Sequence, residues 1–279
     1  MAQRVRANVA VVGHSEWVDF AIVPALPKPG QILHTMEFWE EAAGGGAVAA
    51  VQMVKLTGSA LFVTGLARDD LGRQTAEQLE GQGVTLRAAP RDGRQRRGFV
   101  YLTDDGERTI TVLGDRLVPH GDDALGWEEL DDVDGIYFTG GDPGALRAAR
   151  RARVLVVTPR AELALRESGV EVDVLVHSGN DKDEELDRAS LDPQPRTVVT
   201  TLGGKGGRWD GALGSGTWEP LPLPGPRVDA YGAGDSFAAG ITTGLAAGLD
   251  MAQAIELGSR CGAANMTGRG PYAGQLDLR

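Results

Sequence analysis

Between Val228 and Gly240 the chain reads Val-Asp-Ala-Tyr-Gly-Ala-Gly-Asp-Ser-Phe-Ala-Ala-Gly, so three small residues, Gly232, Ala233 and Gly234, stand directly before a carboxylate, Asp235. Phe237, Ile241, Leu245 and Leu249 then recur four apart, the spacing of one helical face. The pattern predicts a turn almost free of side chains that opens a helix, with unpaired N–H groups and the positive end of the helix dipole aimed at one point. Such a turn can hold an anion. A carboxylate base beside it suits phosphoryl transfer to a hydroxyl, because the base takes the proton while the N–H groups stabilise charge on the moving group. A loop with an acidic first turn and no chemistry has the same short pattern.

Other stretches could carry ligands. Thr201-Leu202-Gly203-Gly204-Lys205-Gly206-Gly207 is rich in glycine but is no Walker A loop, since no Ser or Thr follows the Lys and the upstream Gly is missing. Nor is it a dinucleotide fingerprint, because Arg208 to Gly211 reads as strand and turn rather than helix. Gly44-Gly45-Gly46 opens a helix of small residues that ends at Gly58, which permits either close approach of a substrate or tight packing on a sheet. Glu16 and Asp19, in a loop expected after the first strand, are candidate acceptors for substrate hydroxyls or plain solvating groups. Arg91, Arg94, Arg96 and Arg97 lie among Gly and Gln, where they could touch an anionic ligand, but a solvated loop is the favoured reading.

The elements that must position these residues follow from apolar runs. Asn8–Gly13, Leu61–Leu66, 136–140, 154–158, 172–176 and 198–202 are short apolar runs expected of buried parallel strands, and they alternate with helical patterns. The expected architecture is α/β, with helices on both faces of the sheet. Residues 98–102 and 109–113 are β-rich and joined by a segment containing Asp105-Gly106, a hairpin signal that suggests a small accessory sheet. Pro220 to Pro226 is a connector into the Asp235 turn. Asp250 and Gln253 form a capping box for a last helix, whose inner face carries Ile255, Leu257, Cys261 and Ala264.

At 279 residues the chain can bury a sizeable core, and its net charge of −11 argues against a nucleic-acid partner. One cysteine and four scattered histidines leave an internal disulfide and a metal cluster without support. No apolar run reaches membrane-spanning length and the N-terminus leads into a strand, so a cytoplasmic protein is expected.

Asp229, two further residues and Gly232 to Asp235 together resemble the C-terminal signature of the ribokinase-like (PfkB) family of carbohydrate kinases. The likeness extends over nearly the whole chain. It implies one three-layer α/β/α domain over residues 1–279 with a mostly parallel sheet, and a small β lid drawn from about 14–40 and 97–114. It implies an ATP- and magnesium-dependent kinase acting on a hydroxyl of a sugar or sugar-like molecule, with Asp235 as base and Gly232, Ala233 and Gly234 as anion hole. By the same resemblance Thr201, Gly203 and Gly206 lie along the nucleotide, with Asn180 beside them and Asn265 next to the adenine. Asp183 occupies the place of a glutamate that orders magnesium through water, with Glu184 adjacent. Glu16, Asp19, Gly44, Gly45 and Arg108 become the substrate contacts, and a homodimer through the lid is expected. Asp229 corresponds to a potassium site, but Arg269 could bring its own charge there, so only weak activation by potassium is expected. The chain departs from the family where Gly46 and Ala49 replace a Lys and an Asn, and where Glu16 and Val18 replace an Asn and an Asp. A nucleoside kinase, with Trp17, Phe38 and Trp39 as a base-stacking wall, and a catalytically silent relative are the alternatives. A nucleotide-dependent dehydrogenase is disfavoured by the missing fingerprint.

Overall fold

The structure is a computed structural model that describes residues 4–103 and 108–279; the expected Asp105-Gly106 turn lies outside the described residues. In chain order the first elements are β1 (Val9–Val12), β2 (Glu16–Ile22), β3 (Glu37–Ala43), α1 (Gly45–Thr57), β4 (Ala60–Ala67), α2 (Asp70–Gly81) and β5 (Val84–Arg91). Then come β6 (Arg97–Leu102), β7 (Arg108–Leu113), β8 (Gly135–Phe138), α3 (Pro143–Ala149), β9 (Val154–Val157) and α4 (Glu162–Glu167). The chain continues through β10 (Val174–Ser178), β11 (Thr197–Thr201), β12 (Gly207–Gly211), β13 (Gly216–Trp218), α5 (Ala233–Ala246) and α6 (Met251–Asn265).

Nine strands form the main sheet in the order β13-β12-β11-β10-β9-β8-β1-β4-β5. From β11 to β5 every pairing is parallel, and only β12 and β13 at one edge run antiparallel. Alternation along each strand divides the core: Val9, Val11 and Tyr137 join α1 and α5 residues such as Val48 and Ile241 in one cluster. Ala10, Val12, Ile136 and Phe138 join Leu146 of α3 and Leu165 of α4 in the other. A sheet apolar on both sides must be covered on both, and the expected α/β layering follows.

The strands expected to form a lid make a second, four-stranded sheet in the order β3-β2-β6-β7, with β2 and β6 parallel and the other pairs antiparallel. Residues 16–19 therefore begin a strand instead of forming a loop. The sequence obscured this because Glu16 and Asp19 look like solvent-facing residues, whereas both are buried and paired with arginines before or within β6. At the other end, α5 stops at Ala246, short of Leu249. Gly248 has a φ of 83°, Gly248 N–H donates to Leu245 O and Leu249 N–H to Gly244 O, which is a Schellman stop. The Asp250–Gln253 capping box then starts α6.

Candidate active site

Gly232, with a φ of 77°, is the residue before α5, and a Cβ there would lie 2.8 Å from Val48 Cγ1. The turn therefore rests directly on α1, a fit open only to glycine. Gly44, before α1, has a φ of 87°, and its N–H donates to the Tyr231 hydroxyl at 3.2 Å. A Cβ on Gly45 would come 2.8 Å from Asp235 Oδ1. Asp235 thus stands in the first turn of α5 with the start of α1 against its carboxylate. Its pKa is raised to about 6, chiefly by burial and then by the negative charge of Glu184, while Arg160 and Arg108 pull the other way. Tyr137, from β8, is near enough for the Asp235 charge to raise its hydroxyl pKa further, after burial. A base of that strength is ionised at neutral pH yet holds a proton well enough to accept one in a reaction.

The nucleotide candidates gather at the ends of β10 and β11. Thr201 Oγ1 donates to His177 O at 3.3 Å, and a Cβ on Gly203 would lie 3.5 Å from Asn180 Nδ2, so Asn180, Thr201 and Gly203 are neighbours. Gly206, with a φ of 73°, packs so closely on Trp218 O that a Cβ would lie 1.9 Å from it. Two expectations are corrected here. Asp183 is exposed on a 3₁₀ turn, Lys182–Glu184, capped by Asp181, and this turn sends Glu184 inward instead. Glu184 accepts the Ser178 N–H at 2.7 Å and Arg160 Nε at 2.9 Å, and it is the carboxylate felt by Asp235. Asn265 is fully buried at the end of α6 and its amide donates to Pro271 O at 3.0 Å, so it braces the following loop and does not face a ligand.

On the acceptor side, Glu16 and Asp19 point to opposite faces of β2 because their separation is odd. Glu16 lies over Gly44 and Gly98 and contributes to the field at Asp235. Asp19 pairs with Arg97 at 2.7 Å and is not brought to the site. Arg96 pairs with Glu16 at 2.7 Å, and Arg91 with Asp123, so this arginine stretch is built into the structure and is no solvated loop. Arg108 is exposed on β7, and its charge reaches Asp235, Asp229 and Tyr231.

The aromatic wall for a nucleoside is not left open. Trp17 is buried, and Trp39 stacks on Phe20 with centroids 4.9 Å apart while Arg269 covers its ring at 3.7 Å. Phe38, the next residue to Trp39 on β3, points to the opposite face.

Asp229 accepts the Tyr231 N–H at 2.8 Å and the Gly270 N–H at 3.0 Å, and its pKa is raised by burial. Arg269 turns instead to Glu37 and Trp39 of the lid, which removes the expectation that its charge stands in for a cation at Asp229. His120, Asp122 and Asp123 also place ligand atoms within 4.8 Å of one another, at the surface and away from these groups. Sequence reasoning missed Tyr137, Tyr231, His14, Arg116 and Arg160. Tyr137 and His14 had one usable signal, a polar side chain at the C-terminal end of a buried parallel strand, where α/β sheets bind ligands.

A buried carboxylate thus lies between two helix N-termini, with a glycine-rich strand turn on one side and the smaller β sheet on the other, in a ribokinase-like α/β fold. The chain belongs to the pfkB family of carbohydrate kinases, which its residues 6–158 and 168–277 match. It is similar to the ATP-dependent ribose-1-phosphate kinase of Halopiger xanaduensis, 29% identical over 278 positions that cover 92% of this chain and 90% of that protein. Among solved structures, a putative ribokinase from Agrobacterium tumefaciens matches with a TM-score of 0.81 at 20% identity, over 98% of this chain and 95% of the other. Arabidopsis thaliana ribokinase complexed with ribose and ATP matches with a TM-score of 0.74 at 18% identity, over 99% and 97%. This protein is therefore a carbohydrate kinase. Among the described residues no helix is long and apolar enough to cross a membrane.

Proposed function

We propose that the protein transfers the γ-phosphoryl group of ATP to a hydroxyl of a sugar or sugar-like acceptor, with residues 1–279 working as one unit. The observation that carries this reading is the Asp235 carboxylate held against the starts of both α1 and α5. Asp235 takes the proton of the acceptor hydroxyl, and the N–H groups of Gly232, Ala233 and Gly234 receive the charge on the moving phosphoryl group. Tyr137 orients the carboxylate. Asn180, Thr201, Gly203 and Gly206 lie along the nucleotide, and Glu16, Gly44, Gly45 and Arg108 face the acceptor. The lid of β2, β3, β6 and β7 keeps bulk water from competing for the phosphoryl group.

Glu184, which the 3₁₀ turn sends inward, would hold magnesium through water, and the ion would supply positive charge against the nucleotide phosphates. Both Asp229 oxygens face N–H groups, an arrangement that supports a brace for the turn. A cytoplasmic location accords with this chemistry. The exposed lid residues Phe38, Ile110 and Val112 support a homodimer through the lid.

ATP consumption measured across a panel of sugars, polyols, sugar derivatives and nucleosides tests the reading. Acceptor-dependent ADP release by the wild-type chain is expected, with its loss in Asp235→Asn. ATP binding without turnover of any acceptor would leave the silent relative as the answer.

A further inference from the structure

Near Asp235, three guanidinium groups converge on one histidine. His14 follows β1 and is buried; its pKa is pushed well below the ordinary value, first by burial and then by Arg116, Arg96 and Arg160. The imidazole is thus neutral at physiological pH and able to donate one hydrogen bond. Nδ1 has no partner among the described residues, and Nε2 lies 3.5 Å from Glu16 Oε1.

The charges around it do not balance. Arg160 is matched by Asp181 at 2.6 Å and Glu184 at 2.9 Å, and Arg96 by Glu16 at 2.7 Å. Arg116 has no carboxylate partner among the described residues. Its Nη1 donates to Arg160 O at 2.9 Å, and its Nε is buried with no hydrogen bond. Its pKa is lowered, first by burial and then by Arg96, although Glu16 and Asp235 pull the other way. Arg116 is only partly buried, but a cation that pairs directly with no described carboxylate leaves room for a ligand of opposite charge.

Neighbouring groups are also unfilled. Ser15 Oγ and Thr139 Oγ1, at the ends of β1 and β8, are buried without partners, and only the absence of a Cβ on Gly13, which would lie 1.9 Å from Thr139 Oγ1, gives that hydroxyl room. A Cβ on Gly140 would meet His14 Nδ1 at 3.7 Å and Arg116 Cδ at 3.8 Å, so this glycine keeps the space between them open.

We propose that the acceptor carries an anionic group, phosphate or carboxylate, besides the hydroxyl that is phosphorylated, and that Arg116, Arg96 and His14 receive it. The proposal rests on the kinase reading and narrows its substrate class. The anion is assigned to the acceptor from the places of His14, after β1, and Arg96, before β6, while Arg116 reaches across to Arg160 after β9. Asn180 and Thr201 follow β10 and β11, Tyr137 at Asp235 is on β8, and His14 follows β1 on the far side of β8. In the reaction the acceptor oxygen bonds to the γ-phosphorus, the bond to the β,γ-bridging oxygen breaks, ADP leaves and the hydroxyl proton passes to Asp235. The anionic group is held and unchanged.

The test uses matched acceptors: a neutral sugar, the same sugar bearing a phosphate, and the same sugar bearing a carboxylate substituent. An anionic member is expected to exceed its neutral partner in kcat/KM by roughly 10- to 100-fold, as charge-assisted contacts to arginine allow, and the better arm names the source. Arg116→Gln should raise KM for that acceptor about tenfold or more and leave KM for ATP within about twofold, with Arg116→Lys recovering part of the loss. Equal use of neutral and anionic sugars, or an Arg116→Gln effect on ATP alone, overturns the proposal. If nothing is phosphorylated, calorimetry with inorganic phosphate separates the two readings. Binding that Arg116→Gln abolishes keeps the anion site while the kinase reading falls, and absence of binding to the wild type removes the site. Thermal melting of Arg116→Gln at or above the wild-type Tm confirms that the variant folds.

Discussion

If Asp235 is the base, as proposed, its environment fixes how the rate should follow pH. With a pKa raised to about 6, the carboxylate is ionised above that value and protonated below it. A protonated base cannot accept the hydroxyl proton. The rate under limiting acceptor should therefore fall about tenfold for each unit of pH well below 6, and level off above it. Asp235→Asn keeps size but removes the acceptor of the proton, so turnover should drop by roughly 10²–10⁴ with ATP affinity little changed. The residual rate should lose the acidic limb, and a variant that keeps both rate and limb would remove Asp235 from the role of base. Asp235 was legible because everything that defines it, the glycine turn and the helix start, is adjacent in the chain. Arg116 and Arg160 were not, since each reaches His14 only through the fold. Glu184 was passed over for its neighbour because one residue of register on a 3₁₀ turn decides which carboxylate faces inward.

At the level of elements, the position of Asp235 depends on how α5 lies against α6. A Cβ on Gly240 would fall 2.6 Å from Gly258 Cα and 3.0 Å from Cys261 Sγ, and one on Gly258 would fall 2.7 Å from Phe237 O. The two helices thus meet backbone to backbone, and α5 has no room to move away from the sheet without opening this seam. Gly240→Ala must either separate the helices or tilt α5. Overpacking of this kind costs about 1–3 kcal/mol, so the urea midpoint should fall with the m-value unchanged. An unchanged midpoint would mean that the seam is slack. The apolar face of α5 was plain from its spacing, but the seam was not, because glycine inside a helical pattern reads first as a weakness. Strand β2 was hidden for a similar reason: Glu16 and Asp19 are tolerated inside it only because Arg96 and Arg97, far along the chain, neutralise them.

The whole molecule is two sheets whose junction is a column of stacked side chains. Arg269, from the loop after α6, pairs with Glu37 and lies 3.7 Å from the centroid of Trp39 on the lid. Trp39 stacks on Phe20 of β2 at 4.9 Å, and Phe20 meets Tyr231 edge-on at 5.1 Å. Tyr231 in turn holds the Gly44 N–H, so the column runs from the C-terminal loop, through two lid strands, to the turn before Asp235. Removing its outer end should loosen the lid before it disturbs the base. A half-exposed cation–π contact is worth about 1 kcal/mol, so Arg269→Ala should lower stability by that order and leave the fold intact. The functional effect should be larger. A lid that closes less completely admits water as a competing acceptor, so ATP hydrolysis without acceptor should rise while the acceptor KM increases. Trp39→Phe, which keeps an aromatic face for Arg269 and Phe20, should sit between Arg269→Ala and the wild type. The ratio of ADP formed to acceptor phosphorylated is the decisive quantity. If it stays at the wild-type value in Arg269→Ala, the column contributes stability alone, and the exclusion of water must be assigned to other contacts of the lid.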